Sequence, residues 1–308
     1  MRNKHLLLPA LAAFFLLTTL AFASEEGRFE RTLKVTGIPQ VDVSTGSGNI
    51  SVHQGDNASI RVVGHIHANH SWLFGVSDVM DRVKRIEANP PIQQTGNIVH
   101  IGRIDDPDLR RNISIDFEVW VPHETTLKAS SGSGDVMIES LKSMLTVSTG
   151  SGNVKVSQND GDVRANTGSG DVILEGIDGN VSGQTGSGNI TLAMTGPGTV
   201  RLGTGSGDVT ARNVKGGLRI HTGSGNVTAD GDVTSDWNME TGSGDVRIQL
   251  PQTARFDLAA QTGSGDLRIN RQITMNGGTT DKHRMRGKVN GGGPLVELHT
   301  SSGNIELR

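Results

Sequence analysis

The stretch Thr167-Gly168-Ser169-Gly170-Asp171-Val172 is the unit from which most of this chain is built. The same hexamer, with Asp or Asn in fifth place and Val, Ile or Leu in sixth, begins at Thr45, Thr149, Thr185, Thr204, Thr222, Thr241 and Thr262. Two looser copies begin at Ser131 and Thr300. On both sides of the hexamer, apolar residues alternate with polar ones, as Val163 and Ala165 do before it and Val172 and Leu174 do after it.

The spacing of these copies predicts the fold class. The fifth residue of successive copies lies at positions 135, 153, 171, 189, 208, 226 and 245, so the repeat period is 18 or 19 residues. A fixed period of this size is typical of solenoids, in which each repeat buries its apolar face against its neighbours. Alternation with a period of two indicates strands. We therefore predict an all-β parallel β-helix; an antiparallel meander of nine-residue strands is the alternative.

Each repeat is expected to turn two corners. The Gly-Ser-Gly segment shifts the apolar alternation by one residue, and glycine tolerates the positive φ and close backbone contact that a corner requires. A second glycine-containing corner follows about half a repeat later, as at Gly161-Asp162-Val163.

Composition limits what the core and the surface can be. The 308 residues include 42 Gly, no Cys and no Tyr, and 3% are aromatic, so the core must consist of Val, Leu, Ile, Ala and Thr. The formal net charge is −3 and no Lys/Arg cluster is visible along the sequence. We expect no nucleic-acid partner, because such binding requires a basic footprint.

The first 23 residues have the features of a signal peptide. Arg2 and Lys4 precede the apolar run of residues 6–20, and Ala21-Phe22-Ala23 fits a cleavage site. An uncleaved membrane anchor is the alternative. The prediction is an exported protein, which is periplasmic, attached to the cell surface or secreted, with no membrane span after cleavage.

The remaining chain divides into two predicted parts. Residues 24–128 form a β-rich segment with the first repeat copy, Val41 to Val52, and an amphipathic helix at 76–88 that is capped by Ser77 and covers one end or side of the solenoid. Residues 129–308 form the repeat domain, interrupted by a polar insertion at 270–295. Because the first and last copies are set apart from the others, we expect them to be the terminal rungs.

Several motifs together resemble the bacterial putative-adhesin family of β-strand-repeat proteins, which contain a domain of unknown function. These motifs are the predicted signal peptide, the Asn89-Pro90-Pro91-Ile92 to Asn97-Ile98 segment, the serial repeats, and Asn290-Gly291-Gly292-Gly293-Pro294 before the copy at Thr300. The resemblance covers nearly the whole mature chain. It implies an exported β-solenoid and assigns no functional residues.

The fifth residue of the repeat predicts a ladder along one corner. Its members in sequence order are Asp135, Asn153, Asp171, Asn189, Asp208, Asn226, Asp245 and Asp266. Equivalent residues stack about 4.8 Å apart, where like charges repel and an Asp–Asn pair shares a hydrogen bond. We interpret the ladder as structural. Calcium binding is the alternative, although Asn is a weaker ligand and the Asp is one residue out of place for a calcium-binding repeat.

Two further kinds of site have weaker support. His65 and His67 share one face of a strand, with His70 nearby, but no Cys or carboxylate cluster accompanies them, so solvated histidines are preferred over a metal site. A polysaccharide-cleaving enzyme would need one group of carboxylates that occurs at a single place in the fold. Nearly every Asp, Thr and Ser here occupies a repeated position, so no such group stands out. We predict no catalytic residues, no cofactor and no metal site.

The predicted function is a non-enzymatic, adhesin-like binding or surface-presenting role in the bacterial cell envelope. Polar and basic residues alternate with the core residues and would form a flat surface for an extended ligand, such as a glycan or another envelope component: Lys155, Arg164, Thr191, Arg201, Arg219, Arg247 and Arg268. The alternative is a structural or regulatory envelope component that binds another envelope protein through the helical insertion.

Overall fold

The computed structural model describes residues 27–68, 76–274 and 281–308. The predicted signal peptide, residues 1–23, and His70 lie outside these ranges.

The described residues form 27 strands and two helices. The strands before the first uninterrupted repeats are β1 (Gly27–Lys34), β2 (Gln40–Thr45), β3 (Ile50–Gln54), β4 (Ser59–Ala68), β5 (Ile92–Thr95), β6 (Ile98–Ile101) and β7 (Ile113–Val121). The repeat strands are β8 (Thr126–Ser131), β9 (Val136–Leu141), β10 (Leu145–Thr149), β11 (Val154–Asp160), β12 (Val163–Thr167), β13 (Val172–Asp178), β14 (Val181–Thr185), β15 (Ile190–Met194), β16 (Val200–Ser206), β17 (Val209–Lys215), β18 (Leu218–Ser224), β19 (Val227–Asp232), β20 (Trp237–Ser243) and β21 (Val246–Gln249). The last strands are β22 (Phe256–Ser264), β23 (Leu267–Ile269), β24 (Ile273–Thr274), β25 (Arg284–Val289), β26 (Leu295–Ser302) and β27 (Ile305–Leu307). The helices are α1 (Val76–Ala88) and α2 (Pro107–Arg110).

These strands form two sheets that face each other across one core. Sheet A has the order β1-β4-β7-β3-β9-β11-β13-β15-β17-β19-β21-β27-β23. Sheet B has the order β24-β25-β22-β26-β20-β18-β16-β14-β12-β10-β8-β2-β6-β5. Each rung contributes one strand to sheet B and, after the Thr-Gly-Ser-Gly corner, one strand to sheet A. Neighbouring rungs pair in parallel, as β12 does with β10 and β14. The parallel β-solenoid is confirmed, and the antiparallel meander is wrong for the rungs.

The core consists of the alternating apolar residues of both sheets. Val163 and Ala165 of β12 and Val172 and Leu174 of β13 are almost fully buried. In register, Val163 lies between Leu145 and Val181, so identical repeat positions stack on one another. Stacking of small and branched side chains in this way gives a narrow, continuous core.

Glycine is required at the corners because successive rungs approach closely. A Cβ atom at Gly168 would overlap the carbonyl oxygen of Gly150 in the preceding rung. At the second corner, Gly161 has a φ of +151° and lies against the backbone of Ser143. Glycine alone fits both the close contact and the positive φ.

Helix α1 covers the N-terminal end of sheet A, as the sequence predicted. It lies against β1 and β4, and its Val83 and Ile86 side chains join the core. The Glu87 Oε1 atom accepts a hydrogen bond from the backbone N–H of Arg28 in the outermost strand, at 2.8 Å. The predicted cap is wrong, because the helix begins at Val76 and Ser77 therefore lies inside it.

The rungs do not follow one another in chain order at the C-terminal end. The last copy, β26 and β27, lies between the rung of β20 and β21 and the rung of β22 and β23. The insertion at 270–295 provides β24 and β25, which extend sheet B beyond β22 in antiparallel fashion. The first copy, β2 and β3, is likewise flanked on both sides. The expectation that these two copies are terminal rungs is therefore wrong.

Candidate binding surface

The Asp/Asn ladder alternates without exception once the rungs are taken in spatial order. In the sequence, Asp245 and Asp266 are consecutive members, but Asn304 of the inserted rung separates them in space. At the other end, Asn49 lies between Asp116 and Asp135. The full spatial order is Asp116, Asn49, Asp135, Asn153, Asp171, Asn189, Asp208, Asn226, Asp245, Asn304, Asp266.

Each ladder side chain except that of the last member, Asp266, accepts a hydrogen bond from the next rung. The backbone N–H of Asn189 donates to Asp171 Oδ1 at 2.8 Å, and that of Asp208 donates to Asn189 Oδ1 at 2.9 Å. An amide always separates two carboxylates, so no two like charges are neighbours. This arrangement supports the structural interpretation of the ladder. No group of three or more candidate metal ligands occurs in the described part of the chain.

A row of buried hydroxyls runs beside the ladder and has the same structural character. Thr185 Oγ1 donates to the Gly170 carbonyl of the preceding rung at 2.8 Å and accepts from the Gly188 N–H at 3.1 Å. Ser131 makes the two equivalent bonds, donating to the Gly48 carbonyl of the neighbouring rung and accepting from the Gly134 N–H. At the C-terminal end the His283 ring lies 3.2 Å from the Gly265 carbonyl and takes the place of the missing hydroxyl. The repeated threonine position, which is Ser131 in one rung, is thus occupied by scaffold contacts.

The histidines singled out by the sequence lie on the outer face of sheet A. Each has a carboxylate partner of its own: His65 pairs with Glu118 at 3.8 Å and His67 with Asp116 at 3.2 Å. His53, which the sequence did not single out, pairs with Glu139 at 3.2 Å. These histidines therefore contact separate carboxylates along the sheet and do not meet at one point.

The outward residues predicted to form one surface lie on two opposite faces. Lys155, Thr191, Arg247 and Arg268 belong to sheet A, whereas Arg164, Arg201 and Arg219 belong to sheet B. The two strands of a rung are separated by the corner, and that corner turns their outer faces away from each other. A single ladder made of all seven residues is therefore wrong.

The two sheet A arginines among the predicted residues, Arg247 and Arg268, are paired with acidic neighbours. Arg247 lies 2.6 Å from the Asp245 carboxylate, and Arg268 lies 3.9 Å from that of Asp266. Glu306 stands between them in register. Its hydrogen bond from Arg308, at 2.7 Å, together with the nearby arginines, holds the pKa of Glu306 below its usual value. This face is close to neutral around Glu306.

The arginines of sheet B have no such neighbours. Arg164, Ser182, Arg201 and Arg219 occupy one row in register on adjacent strands. The three arginine side chains are exposed, and none has a carboxylate within 4.0 Å among the described residues. We call these four residues the basic row. The sequence named its arginines but could not separate them from those of sheet A.

A groove of about 440 Å³ runs along part of the basic row. Arg164, Ser182 and Arg201 line it, together with Thr146 and Thr199. One carboxylate, that of Asp162, is also in the wall, and its Oδ1 atom accepts the N–H of Asn180 at 3.0 Å. The lining is thus polar, with two cationic side chains and several hydroxyls.

A second groove continues from this one towards the N-terminal end of sheet B. Its volume is about 300 Å³, and Met144 and Thr146 line both grooves. Ile98 and Met144 are exposed at 44% and 58%, while Lys128 at its edge pairs with Asp42 at 3.6 Å. The outer face of sheet B therefore has an apolar end and a basic centre.

Comparison with known proteins places this architecture in a family. The family model described as Toastrack DUF4097 matches residues 113–308, which is more than half of the chain. The chain belongs to the Toastrack DUF4097 family. The resemblance to a family of β-strand-repeat proteins with a domain of unknown function is thereby confirmed.

Three solved structures resemble this Toastrack protein at low identity. One, from Clostridium sporogenes and described as a "putative cell adhesion protein", is 12% identical, covers 91% of this chain and 98% of its own, and has a TM-score of 0.27. One from Parabacteroides distasonis, described as a "putative lipid binding protein", is 14% identical with coverages of 91% and 96% and a TM-score of 0.45. A "putative adhesin" from Bacteroides fragilis is 16% identical with coverages of 93% and 99% and a TM-score of 0.38.

A search of curated proteins and a search of the described residues for membrane-spanning helices both gave negative results. No match was found among curated proteins. Within the described ranges, no helix has the length and apolar character needed to cross a membrane.

Proposed function

We propose that this Toastrack protein is an exported, non-enzymatic, adhesin-like binding protein of the bacterial cell envelope. Its binding surface is the outer face of sheet B, and its ligand is an extended molecule such as a glycan. Export is supported by the signal-peptide features of residues 1–23.

The groove along sheet B is the main observation that supports this proposal. Parallel pairing fixes the outer side chains of successive rungs in rows, so the groove between Met144 and Arg201 is straight and crosses several strands. A groove that crosses several strands and carries cationic and hydroxyl groups fits a linear polymer better than a compact small molecule, because the latter is usually held in a concave, mostly apolar pocket.

A non-enzymatic role is supported by how the candidate groups are used. The ladder carboxylates accept backbone hydrogen bonds and alternate with amides, and the threonine hydroxyls bond glycine carbonyls. Hydrolysis of a glycosidic bond typically needs a pair of carboxyl groups placed around that bond. The ladder distributes its carboxylates evenly along the solenoid.

The absence of cysteine allows a direct test by chemical labelling. The variants Ser182→Cys and Thr191→Cys place one thiol on the outer face of sheet B or of sheet A, at positions that are both half-buried. We expect solubilised envelope glycans to slow maleimide labelling of the S182C variant and to leave the T191C variant unaffected. Equal labelling rates with and without envelope material at both positions would contradict the proposal.

The alternative function, partner binding through the helical insertion, has less support from the fold. Helix α1 buries Val83 and Ile86 in the core and bonds the edge strand β1. Because deletion of residues 71–91 would uncover that core, point changes on the exposed face are the better test. The double variant Lys84→Ala/Arg85→Ala should leave S182C protection intact if sheet B is the binding face; loss of envelope binding in this variant would favour the helix.

A further inference from the structure

We infer that the groove on sheet B binds a linear anionic polysaccharide, whose acidic groups are held by Arg164, Arg201 and Arg219. This inference rests on the proposed function, since it names the class of ligand for the same face.

The first argument is the charge of the basic row. Arg201 and Arg219 lie on adjacent strands in register, so their backbones are about 4.8 Å apart. Like charges at this separation repel each other, and no carboxylate among the described residues lies within 4.0 Å of either one. A bound anion would remove this repulsion. Arg247 and Arg268 of sheet A already have this compensation within the protein.

The second argument is the spacing of the cations. Arg164 and Arg201 are separated by the strand that carries Ser182, so their backbones lie two strand spacings, about 9 to 10 Å, apart. Arg219 follows one spacing further. Three guanidinium groups in a straight row suit acidic groups that recur along a polymer, because guanidinium forms paired hydrogen bonds with carboxylate, sulfate or phosphate oxygens.

The third argument is the polar lining between the cations. Ser182, Thr146 and Thr199 present hydroxyls to the groove, and hydroxyl groups both donate and accept hydrogen bonds, as sugar hydroxyls require. No aromatic side chain is among the described residues that line this groove. Single-stranded nucleic acids are held largely by stacking of bases on aromatic rings, so the lining favours a polysaccharide over a nucleic acid.

The net charge of the protein also favours binding of an anionic polymer at one local site over general binding of polyanions to the whole surface. Its formal net charge is −3, so attraction for an anionic polymer must come from the basic row and not from the overall charge. Such attraction acts over about 10 Å at moderate salt and weakens as salt is added. Binding should accordingly be specific to this face and sensitive to salt.

The test is calorimetric titration of the purified protein with polygalacturonate, a linear polymer of a sugar acid. The matched neutral ligand is the same polymer with its carboxyl groups methyl-esterified. We expect binding of the acidic form only, weakened when NaCl is raised from about 0.05 M to about 1 M.

Two double variants with the same change in net charge locate the site. Arg201→Gln/Arg219→Gln should weaken polygalacturonate binding at least about tenfold, because two charge-assisted contacts are lost. Arg212→Gln/Arg268→Gln, on the exposed face of sheet A, should bind as the parent does. Arg201→Lys/Arg219→Lys keeps the charge and should retain part of the affinity, and circular dichroism establishes that each variant is folded.

The outcomes separate this inference from the proposed function. Equal binding of the acidic and esterified polymers, with S182C protection, would overturn the anionic ligand and leave the glycan-binding face. Absence of both binding and protection would overturn both. Equally tight binding of single-stranded DNA or of vesicles rich in anionic lipid, lost in the same R201Q/R219Q variant, would overturn the assignment to a polysaccharide.

Discussion

The backbone N–H of Asn304 donates a 2.8 Å hydrogen bond to Asp245 Oδ1, although 59 residues separate the two in the chain. On the other side, Asn304 Oδ1 accepts the N–H of Asp266 at 3.0 Å. The returning C-terminal rung thus places an amide between two aspartates that would otherwise be neighbours. The alternation of charge and amide is a property of the assembled stack, and it predicts how the ladder responds to substitution.

Adding a negative charge inside the ladder should destabilise the fold. Asn189→Asp keeps the oxygen that accepts the Asp208 N–H but places three carboxylates in a row with Asp171 and Asp208. Two new like-charge contacts, each about 0.2–1 kcal/mol, should lower the free energy of unfolding by about 0.5–2 kcal/mol. Urea unfolding at neutral pH measures this change, and about 1 M NaCl should reduce it.

The control for this substitution is Asp208→Asn in the adjacent rung. It removes a charge, yet the amide oxygen can still accept the Asn226 N–H that Asp208 Oδ1 accepts at 2.7 Å. Its stability should stay within about 0.5 kcal/mol of the parent. If the two variants were equally destabilised, charge alternation would not be what the ladder requires.

The corner glycines should differ according to what lies in the preceding rung. Gly168→Ala places a methyl group onto the Gly150 carbonyl, so the strands must separate and stability should fall by about 2 kcal/mol or more. Gly46 occupies the same repeat position, but a methyl group there would meet no atom within 4 Å among the described residues. Gly46→Ala should therefore be tolerated. Comparable losses of unfolding free energy in both variants would refute the stacking explanation.

The buried threonine row should require its hydroxyl but not its methyl group. Thr185→Val leaves the Gly170 carbonyl and the Gly188 N–H without their partner, which should cost about 1–3 kcal/mol. Thr185→Ser keeps both hydrogen bonds, as Ser131 does naturally in its own rung. Thermal unfolding of the two variants distinguishes them, and a serine variant as unstable as the valine variant would contradict this account.

Calcium should not stabilise the ladder. A ligand that binds only the folded state raises the midpoint of thermal unfolding. Every ladder carboxylate except the terminal Asp266 already accepts a backbone N–H, as Asp171 and Asp208 do. We expect the same midpoint with calcium and with chelator. A calcium-dependent rise that disappears in Asp171→Asn would instead make the ladder a metal site.

The sequence predicted the features that depend on local spacing. The 18- or 19-residue period indicated the parallel stack, because the same apolar positions must face the core in every rung. The helix at Val76–Ala88 was predicted from its apolar spacing and from the prolines that follow it. The corner glycines were predicted because Gly-Ser-Gly interrupts the strand alternation in every copy except the last, which has Ser301-Ser302-Gly303.

The binding face could be predicted only in part from the sequence. Arg164, Arg201 and Arg219 occupy equivalent repeat positions, which was visible in the sequence. Arg247 and Arg268 follow the corner and therefore belong to the opposite sheet. Their carboxylate partners distinguish them from the basic row, and those partners are revealed only when side chains are placed in space.

What the sequence by itself determined is therefore the repeating unit: strand, glycine corner and strand, with an Asp or Asn at the corner. Local spacing suffices for this, because each residue's face follows from its position within the repeat. Only the tertiary structure decided the order of the rungs. Asn304 lies between Asp245 and Asp266 because the last copy pairs with strands of two rungs that are distant in sequence. Since the repeats are nearly identical, their local spacing does not indicate which of them pair over a long range.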